Sequence, residues 1–351
     1  MQPPASAVLF VLSRVPDAVE CARLCGELST RSVGEIEDVY NVAFYTITPQ
    51  RRTLHGHFSR DLAPILEVES GDTVRFTTLD CGWGLEPRDG GGEPRRRFEP
   101  RDAVLDFGHA LCGPVAVLGA MPGMTLEIQV GQIRTGGWGW TEAGGWDHEV
   151  NRRLGLTRDE YRLHWEIDDD RGTATNQDGR TVPLRPFMGV MGMPPAEAGV
   201  HPTSPPRPTG GNIDCKELVA GTSLFLPVAV PGGLFSTGDG HAAQGDGEAS
   251  ETAIECPIER CDLTLILHPQ LAISTPRART TEGWLTLGFH EDLNEATFLA
   301  LDAMLDLMGE QYGMGRGEAL AMAGIAVDLR VTQIVNGVKG VHAVIPDGAI
   351  R

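Results

Sequence analysis

Positive charge is scarce in this sequence. Its 29 lysine and arginine residues face 48 aspartate and glutamate residues, which gives a formal net charge of −19 over 351 residues. A negative excess of this size repels phosphate backbones and anionic membrane surfaces. We therefore expect neither a nucleic-acid partner nor a membrane partner. The basic run at residues 95–97 is interpreted as a solvated part of a glycine-rich loop.

Long apolar runs, nucleotide-binding motifs and paired cysteines are also missing. No apolar run approaches the ~18 residues that a membrane-spanning helix needs. Residues 7–12 are too few, with no basic residue ahead of them, to resemble a secretion signal. No GxGxxG or Walker loop is present, and the seven cysteines lack C-x-x-C spacing. A chain of this length needs no disulfide staples, so we expect a reducing compartment and a cytoplasmic protein.

The apolar residues that are present form short alternating runs bounded by glycine and proline. Such runs occur at residues 65–80, 114–135 and 223–240. Repeated strands with turn residues between them are typical of a β-sandwich or barrel. The sequence therefore predicts a mainly β fold with sandwich-like or barrel-like subdomains.

The C-terminal sequence changes to a helical period. Residues 292–310 and 317–326 predict two helices, and the residues that follow predict a strand with Leu329 on its apolar face and Thr332 on its polar face. We expect this α+β portion to serve packing or subunit contacts, and its apolar helices favour a homo-oligomer.

Four segments are predicted along the chain. Residues 1–43 form an N-terminal extension of unknown role, with a strand-like run at 8–12 and helical spacing at 17–39. A first β-rich subdomain is predicted at 44–200 and a second β-rich segment at 201–290. The C-terminal α+β portion is predicted at residues 291–351.

One acidic, glycine-rich stretch in the second β-rich segment stands out as a candidate ligand site. Residues 236–248 read STGDGHAAQGDGE. In extended backbone, side chains two apart share a face, so Asp239 lies beside His241 and Asp246 beside Glu248. The glycines between them leave room for a metal, water or substrate. The alternative interpretation is an acidic surface turn, since glycine and aspartate are common turn residues.

Four longer segments together resemble a known family. They are residues 56–80, 108–130, 185–195 and 210–255, the last of which contains the acidic stretch. The chain resembles the acetamidase/formamidase family over about residues 44–346. The resemblance implies hydrolysis of the C–N bond of a small linear amide to a carboxylate and ammonia, on a β-rich fold with a metal site. It also supports the expectation of a homo-oligomer.

A metal suits this chemistry because an unactivated amide needs a nucleophile stronger than neutral water. A bound divalent ion lowers the pKa of water from about 16 to about 7 and polarises the carbonyl. We expect Zn²⁺, with Ca²⁺ and Mn²⁺ as alternatives, because carboxylate, amide and imidazole ligands suit all three ions. The resemblance points to the following ligands: His109, Asp214, Asp239 and His241, with Asp80 and Glu127 as weaker additions.

Other residues of the matched segments are assigned to proton transfer and substrate contact. Glu248 is the first candidate for proton transfer and Asp246 the second, because a carboxylate beside activated water can take its proton and deliver it to ammonia. The predicted substrate contacts are Asn212, Gln244 and His57, with the closing of a turn as the alternative role of His57. Asp214 has a structural alternative too, since the sequence I-D-C-K-E-L fits a capping box that begins a helix.

Three alternative functions fit parts of the sequence. A nitrilase-type amidase would use a cysteine, a lysine and a glutamate, as in Cys215-Lys216-Glu217, but consecutive side chains on one element are expected to diverge. A Ser-Ser-Lys amidase is disfavoured because lysine is scarce. A noncatalytic metal-binding or carbohydrate-binding β-sandwich would use the same acids to hold structural Ca²⁺. The sequence leaves formamide, acetamide and aryl-acetamides open as substrates, because pocket size decides among them.

Overall fold

The computed structural model describes residues 42–87 and 95–351. The strand-like run and the helix predicted within residues 8–39 lie outside the described residues. No helix among the described residues is both long and apolar enough to cross a bilayer.

Most of the described chain is β-strand. The strands are β1 Phe44–Ile47, β2 Leu54–His55, β3 Leu66–Val68, β4 Thr73–Thr78, β5 Leu111–Val117, β6 Thr125–Thr135, β7 Trp138–Ala143, β8 Tyr161–Asp168, β9 Thr173–Asn176, β10 Thr181–Pro183, β11 Phe187–Gly192, β12 Gly210–Asn212, β13 Ser223–Pro227, β14 Phe235–His241, β15 Glu255–Cys256, β16 Ile258–His268, β17 Arg277–Arg279, β18 Gly283–His290, β19 Asp328–Gln333 and β20 Lys339–Pro346. The described helices are α1 Glu149–Leu154, α2 Leu293–Tyr312 and α3 Arg316–Ala326.

The strands form two sheets within the described part of the chain. The first has nine strands in the order β1-β4-β16-β6-β13-β17-β18-β20-β19. The second has eleven strands, eight of them in the order β10-β9-β8-β7-β15-β14-β11-β12, while β5 pairs with β14, β2 and β3. The nine-stranded sheet contains strands from all three predicted segments after residue 43, which therefore share one sheet.

The two sheets pack face to face through one large apolar cluster. In β4 the burial alternates residue by residue, as expected for a strand with one face on a core. Phe76 of β4 contacts Phe235 of β14 edge to face, with ring centroids 6.5 Å apart. By contrast β14 is buried at every residue, because it lies inside the second sheet with both faces covered. The predicted mainly β fold is confirmed.

The two predicted C-terminal helices are confirmed as α2 and α3. Asp292 caps the start of α2 by accepting from the backbone N–H groups of Asn294 and Glu295, and Gly313 ends it in left-handed backbone. The buried face of α2, which includes Ala300 and Met304, belongs to an apolar cluster with residues of β20. This helical portion thus covers one end of the nine-stranded sheet.

The predicted faces of the C-terminal strand are wrong. In β19 Leu329 is 47% exposed, whereas Thr332 is 2% exposed. The register shifts between Val331 and Gln333, which interrupts the simple alternation. The hydroxyl of Thr332 is satisfied inside the protein, since its Oγ1 lies 2.7 Å from Nδ1 of His342.

Candidate functional site

The strand β14 carries the first part of the acidic stretch into the interior of the second sheet. A Cβ atom at Gly238 would lie 2.4 Å from the carbonyl oxygen of Ala110, and one at Gly240 would lie 2.2 Å from Cγ1 of Ile258. Only glycine fits at these two positions because neighbouring strands press against them. Asp239 and His241, which alternate with the glycines, therefore hold buried positions set by close backbone packing.

His241 lies at the centre of a group of acids. Its Nε2 is 3.3 Å from Oε2 of Glu255 and 3.4 Å from Oδ1 of Asp239. Its Nδ1 faces the other way, 3.9 Å from Oδ1 of Asp214. The edge-to-face ring of Phe187, with centroids 5.0 Å apart, packs against the imidazole. The two ring nitrogens thus face two different sets of carboxylates.

Asp214 and Glu248 complete the side that Nδ1 faces. Ligand atoms of Asp214, His241 and Glu248 all lie within 4.8 Å of one another. The amide of Asn336 donates to Oδ2 of Asp214 at 2.6 Å, and the amide of Gln244 donates to its backbone carbonyl at 2.8 Å. Asp214 Oδ1, His241 Nδ1 and Glu248 Oε2 are buried without a hydrogen-bond partner among the described residues. Three buried polar atoms without hydrogen-bond partners are therefore found where these three side chains meet.

The backbone around this point is closely packed and locally strained. A Cβ atom at Gly189 would lie 2.6 Å from Oδ2 of Asp239, 2.7 Å from Oδ1 of Asp214 and 2.8 Å from Cε1 of His241. Asp214, Asp239 and Glu248 have φ values of +52°, +60° and +44°. They are three of the six non-glycine residues with positive φ in the described chain. Unfavourable backbone of this kind is concentrated at functional sites, where the surrounding structure holds it.

A second group of possible ligand atoms adjoins the first. Atoms of Cys81, Asp239 and Glu255 also lie within 4.8 Å of one another. Glu255 comes from β15, which pairs with β14 so that Glu255 lies directly opposite His241. Its Oε1 accepts from the backbone N–H of Ala253 at 2.9 Å, while its Oε2 has no hydrogen-bond partner among the described residues.

Burial and mutual repulsion shift the protonation of these acids. Burial raises the pKa of Asp214 to about 7, and burial with repulsion from Asp214 raises the pKa of Glu248 well above its usual range. Burial also raises the pKa of Glu255. For His241, burial favours the neutral ring, but the carboxylates of Glu255 and Asp239 outweigh it and raise the pKa well above the ordinary value.

The group as a whole fits a cation. Four buried carboxyls surround a single imidazole, and no lysine or arginine within residues 42–87 and 95–351 lies within ion-pair distance of any of the four. Buried anionic charge is costly unless it is paired, protonated or bound to a metal. Carboxylate oxygens with one imidazole form a donor set that Zn²⁺ and other divalent ions accept. The residues present therefore fit a divalent metal.

Several residues predicted from the sequence come together here. Asp214, Asp239, His241 and Glu248 form the group itself, and Gln244 contacts it through the Asp214 carbonyl. Asn212 is buried at the end of β12, and its Oδ1 lacks a hydrogen-bond partner in the described chain. The capping alternative for Asp214 is wrong, because a turn closed by the Leu218 N–H on the Cys215 carbonyl follows it and no described helix begins there.

Two predicted ligands lie at the margin of the group. Asp80 accepts from Arg95, from the indole N–H of Trp140 at 2.8 Å and from the Gly84 backbone at 2.6 Å. His109 has its Nδ1 2.7 Å from the hydroxyl of Thr203. The charge of His109 contributes, after that of His241, to holding the pKa of Asp239 below its usual range against the effect of burial.

Glu127, Asp246 and His57 are not brought into the group. Glu127 lies on β6 in the other sheet, where its carboxylate is 2.7 Å from Nε2 of His268. Asp246 pairs with Arg330 at 2.6 Å and with Lys216 at 3.2 Å. The ring of His57 lies against the chain near residue 105, with Nδ1 2.8 Å from the carbonyl oxygen of Leu105.

Three residues of the site are not predicted from the sequence: Glu255, Cys81 and Asn336. Glu255 ends the last of the four matched segments, but only the pairing of β14 with β15 places it against His241. Cys81 follows the β4 strand, and Asn336 lies in the turn between β19 and β20. No spacing in the sequence links any of them to the acidic stretch.

The side chains of Cys215, Lys216 and Glu217 do not all diverge as expected. The thiol of Cys215 lies 3.6 Å from Oε2 of Glu217, so these two side chains converge. Lys216 points elsewhere, to Asp246. Burial raises the pKa of the fully buried Cys215 thiol well above its ordinary value, and repulsion from Glu217 adds to this. A buried neutral thiol is a poor nucleophile, so the geometry disfavours a cysteine-based mechanism.

The chain is similar in sequence to known amidases. The family model of the acetamidase/formamidase family matches residues 45–201 and 196–263. A formamidase from Methylophilus methylotrophus is 29% identical over 246 residues, which cover 56% of this chain and 59% of the relative. An acetamidase from Mycolicibacterium smegmatis is 25% identical over 251 residues, which cover 55% of this chain and 61% of the relative. The match thus spans about three fifths of the length of these curated relatives.

Solved structures share the fold over most of the chain. An acetamidase from Bacillus halodurans superposes with a TM-score of 0.74 at 26% identity, covering 86% of this chain and 97% of the other. A predicted acetamidase/formamidase from Thermoanaerobacter tengcongensis gives a TM-score of 0.75 at 24% identity, covering 87% and 96%. The fold of this chain is therefore shared with these proteins.

Proposed function

Because this chain belongs to the acetamidase/formamidase family, we propose that it hydrolyses the C–N bond of a linear amide to a carboxylate and ammonia with the help of a divalent metal. The main support for a metal site is that Asp214, His241 and Glu248 lie together and each has a buried atom without a hydrogen-bond partner among the described residues. The activity itself is inferred from the family and from the formamidases and acetamidases that the chain resembles.

The proposed ligands are Asp214, His241 and Glu248. Three protein ligands with one open position are usual for a catalytic zinc, so Zn²⁺ is our first expectation, with Ca²⁺ and Mn²⁺ as alternatives. When bound, the ion would polarise the amide carbonyl and make water acidic enough to yield a nucleophile near neutral pH. A carboxylate oxygen of Glu248 lies within 4.8 Å of ligand atoms of Asp214 and His241. This position favours a role as metal ligand over the proton-transfer role predicted from the sequence.

Asp239 and Glu255 are proposed as positioning residues. Both carboxylates face Nε2 of His241, at 3.4 and 3.3 Å. A ring that donates its Nε2–H to them keeps the Nδ1 lone pair directed at Asp214 and Glu248. This is the usual arrangement of a metal-bound histidine, whose second nitrogen donates to a carboxylate.

Gln244 and Asn212 are proposed to orient the amide. The Nε2 of Gln244 is held by the Asp214 carbonyl at 2.8 Å, which leaves its Oε1 buried and unpartnered among the described residues. An amide N–H of the substrate would satisfy that oxygen. Asp246 is a weaker candidate for proton transfer than the sequence suggested, because Arg330 and Lys216 hold its carboxylate in ion pairs.

Metal content and ammonia release, measured together, test the proposed function. Protein purified without chelator is analysed for zinc, manganese and calcium, and ammonia is then assayed with a panel of primary amides. We expect bound metal and ammonia release that a chelator abolishes. Bound metal without ammonia from any amide would instead support the noncatalytic metal-binding function, and full activity in metal-free protein would refute the metal.

A further inference from the structure

A mostly apolar cavity opens beside the candidate site. Its volume is about 650 Å³. One part of its wall is formed by Gln244 and Glu248. The remaining wall includes apolar side chains from α1, from the loop after α1, and from β8 and β10: Val150, Leu154, Leu156, Trp165, Val182 and Pro183.

The cavity adjoins the proposed metal ligands directly. Glu248 lines the cavity and also belongs to the group of ligand atoms within 4.8 Å. Gln244 lines the cavity while its amide donates to the Asp214 carbonyl. Asp214 and His241 themselves are each only 1% exposed. A substrate that reaches these residues from the cavity therefore passes Gln244 and Glu248.

The volume exceeds what the smallest amides fill. At about 30 Å³ for each water-sized group, the four heavy atoms of acetamide take up on the order of 100 Å³. Cavities of several hundred Å³ with mainly apolar walls and a few convergent polar groups are typical of sites for larger organic ligands. Acetamide bound at Gln244 would leave most of this apolar wall in contact with water.

We propose that the preferred substrate is a primary amide with an apolar acyl group of about six carbons or an aryl-acetyl group, which lies against Leu154, Leu156 and Trp165 while the carboxamide meets Gln244 and Glu248. This inference rests on the proposed amide hydrolysis. The apolar wall disfavours an anionic acyl group, because the charge would lose its water and the charged groups that line the cavity, Asp246 and Glu248, are themselves acids. The reaction balances as amide plus water to carboxylic acid plus ammonia.

A chain-length series tests the proposal. The rate constant kcat/KM is measured for acetamide, butanamide, hexanamide and phenylacetamide. Each buried methylene adds about fourfold to binding, so we expect kcat/KM to rise by about that factor per methylene until the cavity is filled. The variant Leu154→Asp places a charge on the cavity wall at a position that is 67% exposed, where the fold tolerates it. We expect it to lower the ratio of kcat/KM for hexanamide over acetamide at least tenfold.

The matched control is Leu118→Asp, because Leu118 is 50% exposed and is not part of this cavity wall. The ratio should stay unchanged in this control. Leu156→Asp, at a second wall position, repeats the test if Leu154→Asp is poorly folded. Acetamide hydrolysis with no gain along the series, or an equal loss in the control, would overturn the proposal and leave the proposed function standing. No ammonia from any of the four amides, with metal bound, would instead refute the proposed function.

Discussion

The carboxylate of Glu255 lies 3.3 Å from Nε2 of His241, on the strand directly opposite it. The two residues are buried, and their interaction leaves Nδ1 of the same ring facing Asp214 and Glu248. An imidazole held in this way has one nitrogen committed to a carboxylate and one available as a ligand. The pair therefore determines which side of the ring can hold a metal.

Replacing Glu255 with glutamine should weaken metal binding without removing a ligand. Loss of the carboxylate charge 3.3 Å from Nε2 of His241 weakens the hold on the ring, and changes of this kind next to a metal ligand cost about 10–100-fold in metal affinity. Metal titration of the purified variant checks the prediction. Glu259→Gln, at an exposed position on β16, is the control. Unchanged affinity in Glu255→Gln would show that Glu255 does not position His241.

Replacing His241 with alanine should abolish both bound metal and ammonia release, because the imidazole is the central member of the group. Glu248→Gln should also lose metal, since a neutral amide is a weaker ligand than a carboxylate. Elemental analysis beside an amide assay measures both effects, with His164→Ala on β8 as the control. A Glu248→Gln protein that keeps its metal and loses turnover would restore the proton-transfer role to Glu248.

Gly189→Ala should damage the site more than the fold. The added methyl would lie within 2.8 Å of atoms of Asp239, Asp214 and His241, so these side chains must move apart. We expect a loss of metal and activity with a stability cost of about 1–3 kcal/mol, as for other overpacked sites. Gly324→Ala in α3 is the control, because nothing lies within 4 Å of its added methyl. Metal binding by Gly189→Ala at the wild-type level would contradict the arrangement described.

Stability should fall as the pH drops from about 6.5 to about 4, in part because of His55. Burial lowers the pKa of His55 from 6.5 to about 4, so within this window the unfolded chain binds a proton that the folded chain does not. At about 1.36 kcal/mol per pKa unit, the lowered pKa of His55 changes the free energy of unfolding by about 3 kcal/mol across this pH window. In denaturant unfolding at several pH values, His55→Gln should show a shallower slope. Some slope should persist, because burial lowers the pKa of His342 to about 4 as well.

Cys215→Ala should retain most of its turnover on any amide that the protein hydrolyses. The thiol is fully buried and burial keeps it protonated, so it has no role as a nucleophile in the proposed reaction. Steady-state kinetics with matched metal content check this expectation. A complete loss of turnover with metal retained would favour the cysteine-based mechanism that the geometry disfavours.

The sequence by itself determined the features that depend on neighbouring residues. The helices α2 and α3 follow from apolar spacing and from the cap at Asp292, and the mainly β fold follows from short alternating runs between turn residues. The family resemblance, now confirmed, follows from four ordered segments. The pairing of Asp239 with His241 was predictable too, because only one residue separates them on one strand.

Only the tertiary structure decided which distant residues meet. Glu255 reaches His241 because β15 pairs with β14 in one register, and Glu127 lies elsewhere because β6 belongs to the other sheet. Asp246 is held by Arg330, a residue from a strand much later in the chain. Strand pairing and ion pairing join residues that are far apart along the chain. The spacing of residues within one segment therefore does not predict these long-range contacts. It does predict which neighbouring side chains lie on the same face of a strand or helix.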